Sequence, residues 1–297
     1  MQAIASHPTP PTNVQTFSWQ WQDRLVEVVY ETFGRGLPVL LLPAFSTVST
    51  RQEMAGIAQK LASQFQVIIP DFPGFGASSR PKLDYNPDLL SQFLRDFCNY
   101  LGSEPINVVS AGHASGYAMQ LGSSQPGIWS TIILVAPTWR GPLPTMGAKP
   151  EVAKVVRDVV RSPILGQFLY FLNTQPSFLK LMYSRHVFND PSHLTDDFIQ
   201  QKWQVTHQNG ARYAPAAFVT GNLDPARSRE EFLAWFQPLP APTMVIIPEQ
   251  APPKSLAEME TIAELPGVES VRLSGSLGLH EEYAQEVGEA IAQFLST

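Results

Sequence analysis

The stretch "VVSAGHASGYAMQLG", residues 108–122, sets the reading of the whole chain. A β-branched apolar run enters it, a tight Gly-x-x-x-Gly turn follows at Gly112 and Gly116, and a helix-like run leaves it. Upstream, "PVLLLPAF" (38–45) is continuously apolar, as a strand buried on both faces is. "RQEMAGIAQKLASQF" has helical spacing, "QVIIPDF" is strand-like again, and "PGFGASSRP" is a turn. "NPDLLSQFLRDFCNYLG" opens with an Asn86 cap and a proline at the first helical position. Downstream, "TIILVAP" (131–137) is another strand. This alternation predicts an α/β fold with a mostly parallel central sheet and helices on both faces.

Outside that unit the pattern changes twice. "TFSWQWQ" and "LVEVVYETFG" alternate as a hairpin does, and residues 1–16 read as a flexible tail. From 139 to 227 only helical patterns occur, broken by prolines. "SREEFLAWFQ", "PTMVIIPEQ", "VESVRLSG" and "EEYAQEVGEAIAQFL" then resume the alternation. The expected organisation is a core of 17–138 and 228–297, interrupted by an all-helical cap of 139–227.

Composition narrows the function classes. Hydrophobic residues make up 44% and charged residues 15% of 297, enough for a sizeable core. A net charge of −6 without a basic stripe argues against nucleic acid. The single Cys98 lies in a helical apolar pattern and reads as core, and one cysteine excludes an intramolecular disulfide. His186, His193 and His207 lack metal-site spacing, and "PGFGAS" is not a dinucleotide fingerprint, so neither metal nor cofactor is expected. The N-terminus lacks a signal-peptide pattern and no run of 18 apolar residues occurs, so a cytoplasmic chain without a membrane span is expected.

The order of elements, with "PDFPGFGASSRP", "GHASG" and "LHEEYAQEVGEAIAQFL", resembles the α/β-hydrolase fold in its cap-bearing branch. That branch includes epoxide hydrolases, haloalkane dehalogenases and carbon–carbon bond hydrolases. The resemblance covers roughly residues 20–295 and implies a Ser-His-Asp triad at three defined positions. With Gly112 and Gly116 as the small flanks, Ala114 takes the nucleophile position, and it should sit at positive φ. The acid position after "PTMVIIPEQ" is Ala251, and the histidine position before the last helix is Leu277. Pro43-Ala44 replaces the His-Gly of the oxyanion loop; its backbone donors would be those of Phe45 and Ser115. Four departures together exceed one engineered knockout.

Two readings follow. In the first, the chain is a pseudo-hydrolase with no catalytic residue. It binds a small, largely apolar molecule between core and cap, against Phe45, Ser46, Ala114, Ser115, Trp139, Leu277 and His280. In the second it is an atypical hydrolase or lyase, with Ser115, His280, His113 or Glu249 standing in for the missing groups. A scaffold with a filled pocket and an unspecified protein partner is a third possibility. Asp71 reads as a brace for its turn. In the cap, Ile164, Leu165, Phe168, Leu169, Phe171 and Leu172 make a broad apolar helix face. That face is expected to pack the cap onto the core and in part to line the cavity. With only Lys180 and Arg185 counted beside it, a membrane-surface role is the weaker reading.

Overall fold

The computed structural model describes residues 13–102 and 104–296. Its eight strands are β1 (Asn13–Trp21), β2 (Arg24–Phe33), β3 (Leu37–Leu42), β4 (Phe65–Pro70), β5 (Ile106–Ala111), β6 (Trp129–Val135), β7 (Thr243–Pro248) and β8 (Val268–Leu273). They form one sheet in the order β1-β2-β4-β3-β5-β6-β7-β8. β1 and β2 pair antiparallel through a two-residue turn, with Gln22 at φ 52, as such hairpins require. β2 is antiparallel to β4, and every later pairing is parallel. The expected tail is therefore shorter than 1–16, because 13–16 already belong to β1; residues 1–12 lie outside the described residues.

Successive residues of the inner strands enter different cores, which is why these runs are apolar without alternation. Val39 and Leu41 face α1 (Ala55–Leu61) and α13 (Ala284–Leu295), where Ile57, Val287 and Ile291 are buried. Leu40 and Leu42 face the opposite layer, which includes α2 (Pro87–Leu101) and α3 (Ala114–Ser124). The Asn86 side chain caps α2 on the Leu89 N–H, as its sequence suggested. Cys98 is buried on that helix, and burial pushes its thiol up to about 12.

Between β6 and α10 (Arg229–Ala234), every regular element among the described residues is helical. These helices are α4 (Pro142–Thr145), α5 (Pro150–Arg161), α6 (Leu165–Asn173), α7 (Pro176–Met182), α8 (Asp196–Thr206) and α9 (Tyr213–Val219). α11 (Pro253–Ala263) and the short α12 (Leu279–Glu282) complete the chain. Leu179, Tyr183, Phe188 and Leu194 of the cap form a small core with Val48 of the main domain. The expectation that the broad face of α6 packs inward is not met. Gly166, Tyr170 and Thr174 turn inward, whereas Ile164, Leu165, Phe168, Phe171 and Leu172 are exposed.

Candidate functional site

The chain crosses from β5 to α3 at Gly112, which has φ +51. His113 is already in the right-handed helical region, and Ala114 is the first residue of α3. The expectation of positive φ at Ala114 is therefore wrong, and the apex of the turn lies two residues earlier. The flanking small residues are then Ser110 and Ala114. A Cβ at Gly112 would stand 3.1 Å from the Ala44 Cβ, so the apex faces the loop after β3. Being glycine, it brings no side chain there.

The two serines nearby are engaged beneath the turn. Ser115 Oγ donates to the Ser110 carbonyl at 3.1 Å, Ser110 Oγ donates to Ser115 Oγ at 3.3 Å, and both residues are fully buried. The Ser115 N–H is bonded to the Gly112 carbonyl at 3.2 Å, so it is not the oxyanion donor expected of it. The residue after the apex is His113. Ala114 and Ser115 have no solvent-accessible surface and line no open pocket. Phe45 is also buried, ringed by Phe72, Phe75, His113, Tyr117 and Phe218 at centroid distances of 4.9–6.2 Å.

His113 makes the most informative contact. Its Nε2 lies 2.8 Å from the Leu223 carbonyl and 3.4 Å from Asp224 Oδ1. A carbonyl only accepts, so Nε2 carries the proton and Nδ1 holds the lone pair. That Nδ1 is buried without a hydrogen-bond partner. Burial pushes the ring down to about 4, against the hydrogen bond to Leu223, so the contact with Asp224 is polar rather than ionic at neutral pH. Burial likewise pushes Asp224 up to about 7, against the Gly141 N–H that its Oδ1 accepts at 2.7 Å and against Arg140. Asp224 thus touches both crossings between core and cap, at 141 and at 224. Tyr117 Oη also donates to the Leu223 carbonyl at 2.8 Å, and Gly116 lets Pro225 approach the helix where a Cβ would collide. Sequence reasoning missed Asp224. Its only signal, an Asp-Pro at the end of a helical stretch, is generic for turns.

His280 lies elsewhere, in a buried ion cluster. Its Nε2 is 3.6 Å from Glu53 Oε2. Lys202 Nζ, from cap helix α8, lies 3.3 Å from Glu53 Oε1 and 2.8 Å from Glu281 Oε1. Burial pushes the Glu53 carboxyl up, but Lys202 and His280 together hold it below the usual range. Burial pushes Lys202 down, yet Glu281, Tyr183 and Glu53 outweigh it and hold the ammonium well above its ordinary value. The loop carrying Leu277 is stitched to the cap: the Gly278 N–H donates to the Val187 carbonyl at 2.7 Å, and Glu282 accepts the N–H groups of Asn189 and Asp190. Leu277 itself is half-buried against the core.

The remaining sequence candidates are dispersed. Glu249 is exposed just after β7, where its carboxylate accepts from the Gln250 amide and pairs with no His, Lys or Arg among the described residues, and Ala251 is buried two residues on. Ser46 Oγ accepts the Val48 N–H and serves its own turn. Asp71 braces its loop as expected, accepting the N–H groups of Arg51 and Ala77 and pairing with the Arg51 guanidinium. Trp139 stacks on Phe232 at 5.9 Å and lines a half-open cavity of about 430 Å³ with Thr138, Arg140, Thr145, Lys254 and Glu258. No group of three or more potential metal ligands occurs among the described residues.

The alpha/beta hydrolase family model matches residues 39–290, so the chain belongs to the alpha/beta hydrolase family, as a member with a helical cap. Curated relatives match over short stretches only. An uncharacterised protein of Mycobacterium tuberculosis is 33% identical over 103 residues, 35% of this chain and 30% of that protein. A soluble epoxide hydrolase of a Corynebacterium species is 31% identical over 87 residues, 29% of each. The chain thus spans about a third of the length of the curated relatives it matches. Solved structures share the fold over nearly the whole chain. An esterase of Thermogutta terrifontis is 20% identical with a TM-score of 0.72, covering 96% of this chain and 98% of that one. A bromoperoxidase of Bacillus anthracis is 17% identical with a TM-score of 0.74, covering 96% and 100%.

Proposed function

We propose that this chain does not carry out triad hydrolysis and instead binds a small, largely apolar molecule at the junction of core and cap. The observation that carries the reading is Gly112 at the apex of the β5–α3 turn. A residue without a side chain supplies no nucleophile, and Ala251 and Leu277 at the other two family positions supply no acid and no base. The engaged hydroxyls of Ser110 and Ser115 support it further. Ser46, Trp139 and Leu277 are the proposed contacts that keep some exposure, and the Trp139 cavity is large enough for a small molecule.

The test is intact mass after treatment with a fluorophosphonate, followed by native mass spectrometry of untreated protein. The expected result is no adduct, together with a co-purifying molecule that Trp139→Ala releases. Stoichiometric labelling of a serine, with turnover of p-nitrophenyl butyrate, would overturn the reading.

A second reading rests on the pair His113 and Asp224. A neutral imidazole with an unpartnered Nδ1, next to a carboxyl near pH 7 and directly after the turn, has the composition of an acid–base couple. It predicts a serine-independent reaction lost in both His113→Gln and Asp224→Asn, with the overall fold retained by circular dichroism. Retention of that reaction in either variant excludes it.

A further inference from the structure

The outer surface of α5, α6 and α7 is apolar to a degree that the cap's own packing does not explain. Ile164 is 86% exposed and Phe168 57%, and Leu165, Phe171 and Leu172 of α6 are open beside them. Val152 and Val155 of α5, the helix packed against α6, and Phe178, Leu181 and Met182 of α7, the helix that follows it, are exposed as well. The inward faces are already satisfied: Tyr170 is buried with its Oη donating to the Ala211 carbonyl at 3.1 Å, and Leu179 and Tyr183 are buried in the cap's core. A helix apolar on every side is ordinarily enclosed by protein or by lipid.

Charge indicates which. Between residues 149 and 185 the chain carries six basic side chains, Lys149, Lys154, Arg157, Arg161, Lys180 and Arg185, against two acidic ones, Glu151 and Asp158. The whole chain has the opposite balance, 20 basic to 26 acidic. Two carboxylates from outside this stretch, Asp84 and Asp196, pair with Arg161 and Lys180, and Lys154 pairs with Asp158, which leaves the face an excess of two positive charges; Lys149, Arg157 and Arg185 pair with none among the described residues. An apolar face carried on basic helices is the arrangement of a helix lying in an interface beside anionic headgroups. A second copy fits less well, because a two-fold contact through this face would set basic side chains against basic ones.

We propose that the outer face of α5–α7 docks on an anionic lipid bilayer, with Ile164, Phe168 and Phe171 entering the acyl boundary and the basic side chains meeting the headgroups. This surface is separate from the junction of core and cap, so the proposal stands whether or not that junction holds a ligand.

The experiment is co-sedimentation of the full chain with extruded vesicles of phosphatidylcholine alone and with 30% phosphatidylglycerol, at low and at 0.5 M salt. Binding to the anionic vesicles is expected to exceed that to the neutral ones at least tenfold and to fall at least tenfold in high salt. The triple variant Ile164→Ser, Phe168→Ser, Phe171→Ser should lose binding while its thermal midpoint stays at or above that of the parent. Lys149→Glu with Arg157→Glu should weaken binding on an intact apolar face, which guards against a misfolded triple variant. Equal binding to both vesicle types overturns the anionic assignment. No binding to either, or a concentration-dependent dimer by analytical ultracentrifugation that the triple variant abolishes, overturns lipid as the occupant.

Discussion

Two buried polar junctions fasten the cap to the core, and burial acts on them in opposite ways. At Glu53, Lys202, His280 and Glu281, the cap sends in a cation between two core carboxylates, and ionisation survives at Glu53 and Lys202. At His113 and Asp224 the Arg140 charge does not offset burial, so desolvation pushes the imidazole down and the carboxyl up, each toward its uncharged form. Desolvation raises all three carboxyls: Lys202 and His280 outweigh it at Glu53, whereas it prevails at Glu281, although the same ammonium lies 2.8 Å away, and at Asp224.

The sharpest way to break this contrast is Lys202→Met. It leaves Glu53 and Glu281 buried without their cation, and the free energy of unfolding should fall by about 3–5 kcal/mol in urea titration at pH 7. A loss below about 1 kcal/mol would mean that the cap lifts and hydrates both carboxylates.

The neutral junction is tested by pH. His113 has a folded value of about 4 against an ordinary 6.5, so its contribution to stability declines as pH falls through that window. Asp224 has a folded value of about 7 against 3.8, so its contribution is full below 3.8 and is lost as pH rises to 7. Between pH 4 and 6.5 the two slopes oppose one another in the parent. Asp224→Asn should expose the histidine slope, losing about 3 kcal/mol more than the parent between pH 6.5 and 4. His113→Gln should show the reverse, gaining on the parent as pH falls. Profiles parallel to the parent's would remove the argument for this pair.

The smallest effect is expected at the turn. Gly112→Ser places an L side chain at φ +51 and 3.1 Å from the Ala44 Cβ, at a cost of about 1 kcal/mol. No esterase activity should appear with p-nitrophenyl butyrate, since Ala251 and Leu277 remain. Activity in this single variant would show that a base and an acid are supplied from elsewhere, with His113 and Asp224 first in line.

Much of the sheet was legible. "PVLLLPAF", "QVIIPDF" and "TIILVAP" contain most of β3, β4 and β6, because a strand buried on both faces leaves a continuous apolar run. The turn was legible as a turn but misplaced by two residues. Ser110, Gly112, Ala114 and Gly116 are all small, so spacing alone allows two placements; the strand's end is fixed by pairing of Ala111 with Val135, a contact from 24 residues away. The apolar face of α6 was visible as a periodicity, but periodicity does not say whether a face looks in or out. The ion cluster left no trace, because Lys202 on a helix of mixed polarity reads as an ordinary surface lysine until Glu53 and Glu281 are brought to it.

Gly112 also bears on descent. To a glycine, the left-handed apex is unstrained; to any residue able to attack a carbonyl, it is a burden that only catalysis would justify. On the proposed reading, glycine at 112, alanine at 251 and leucine at 277 would each have to change before a triad could form. On that reading the first of them would lower stability and return no activity for selection to see. Stability alone would then hold the apex as it is, and new chemistry at this turn would start more easily from groups already beside it, such as His113 and Asp224.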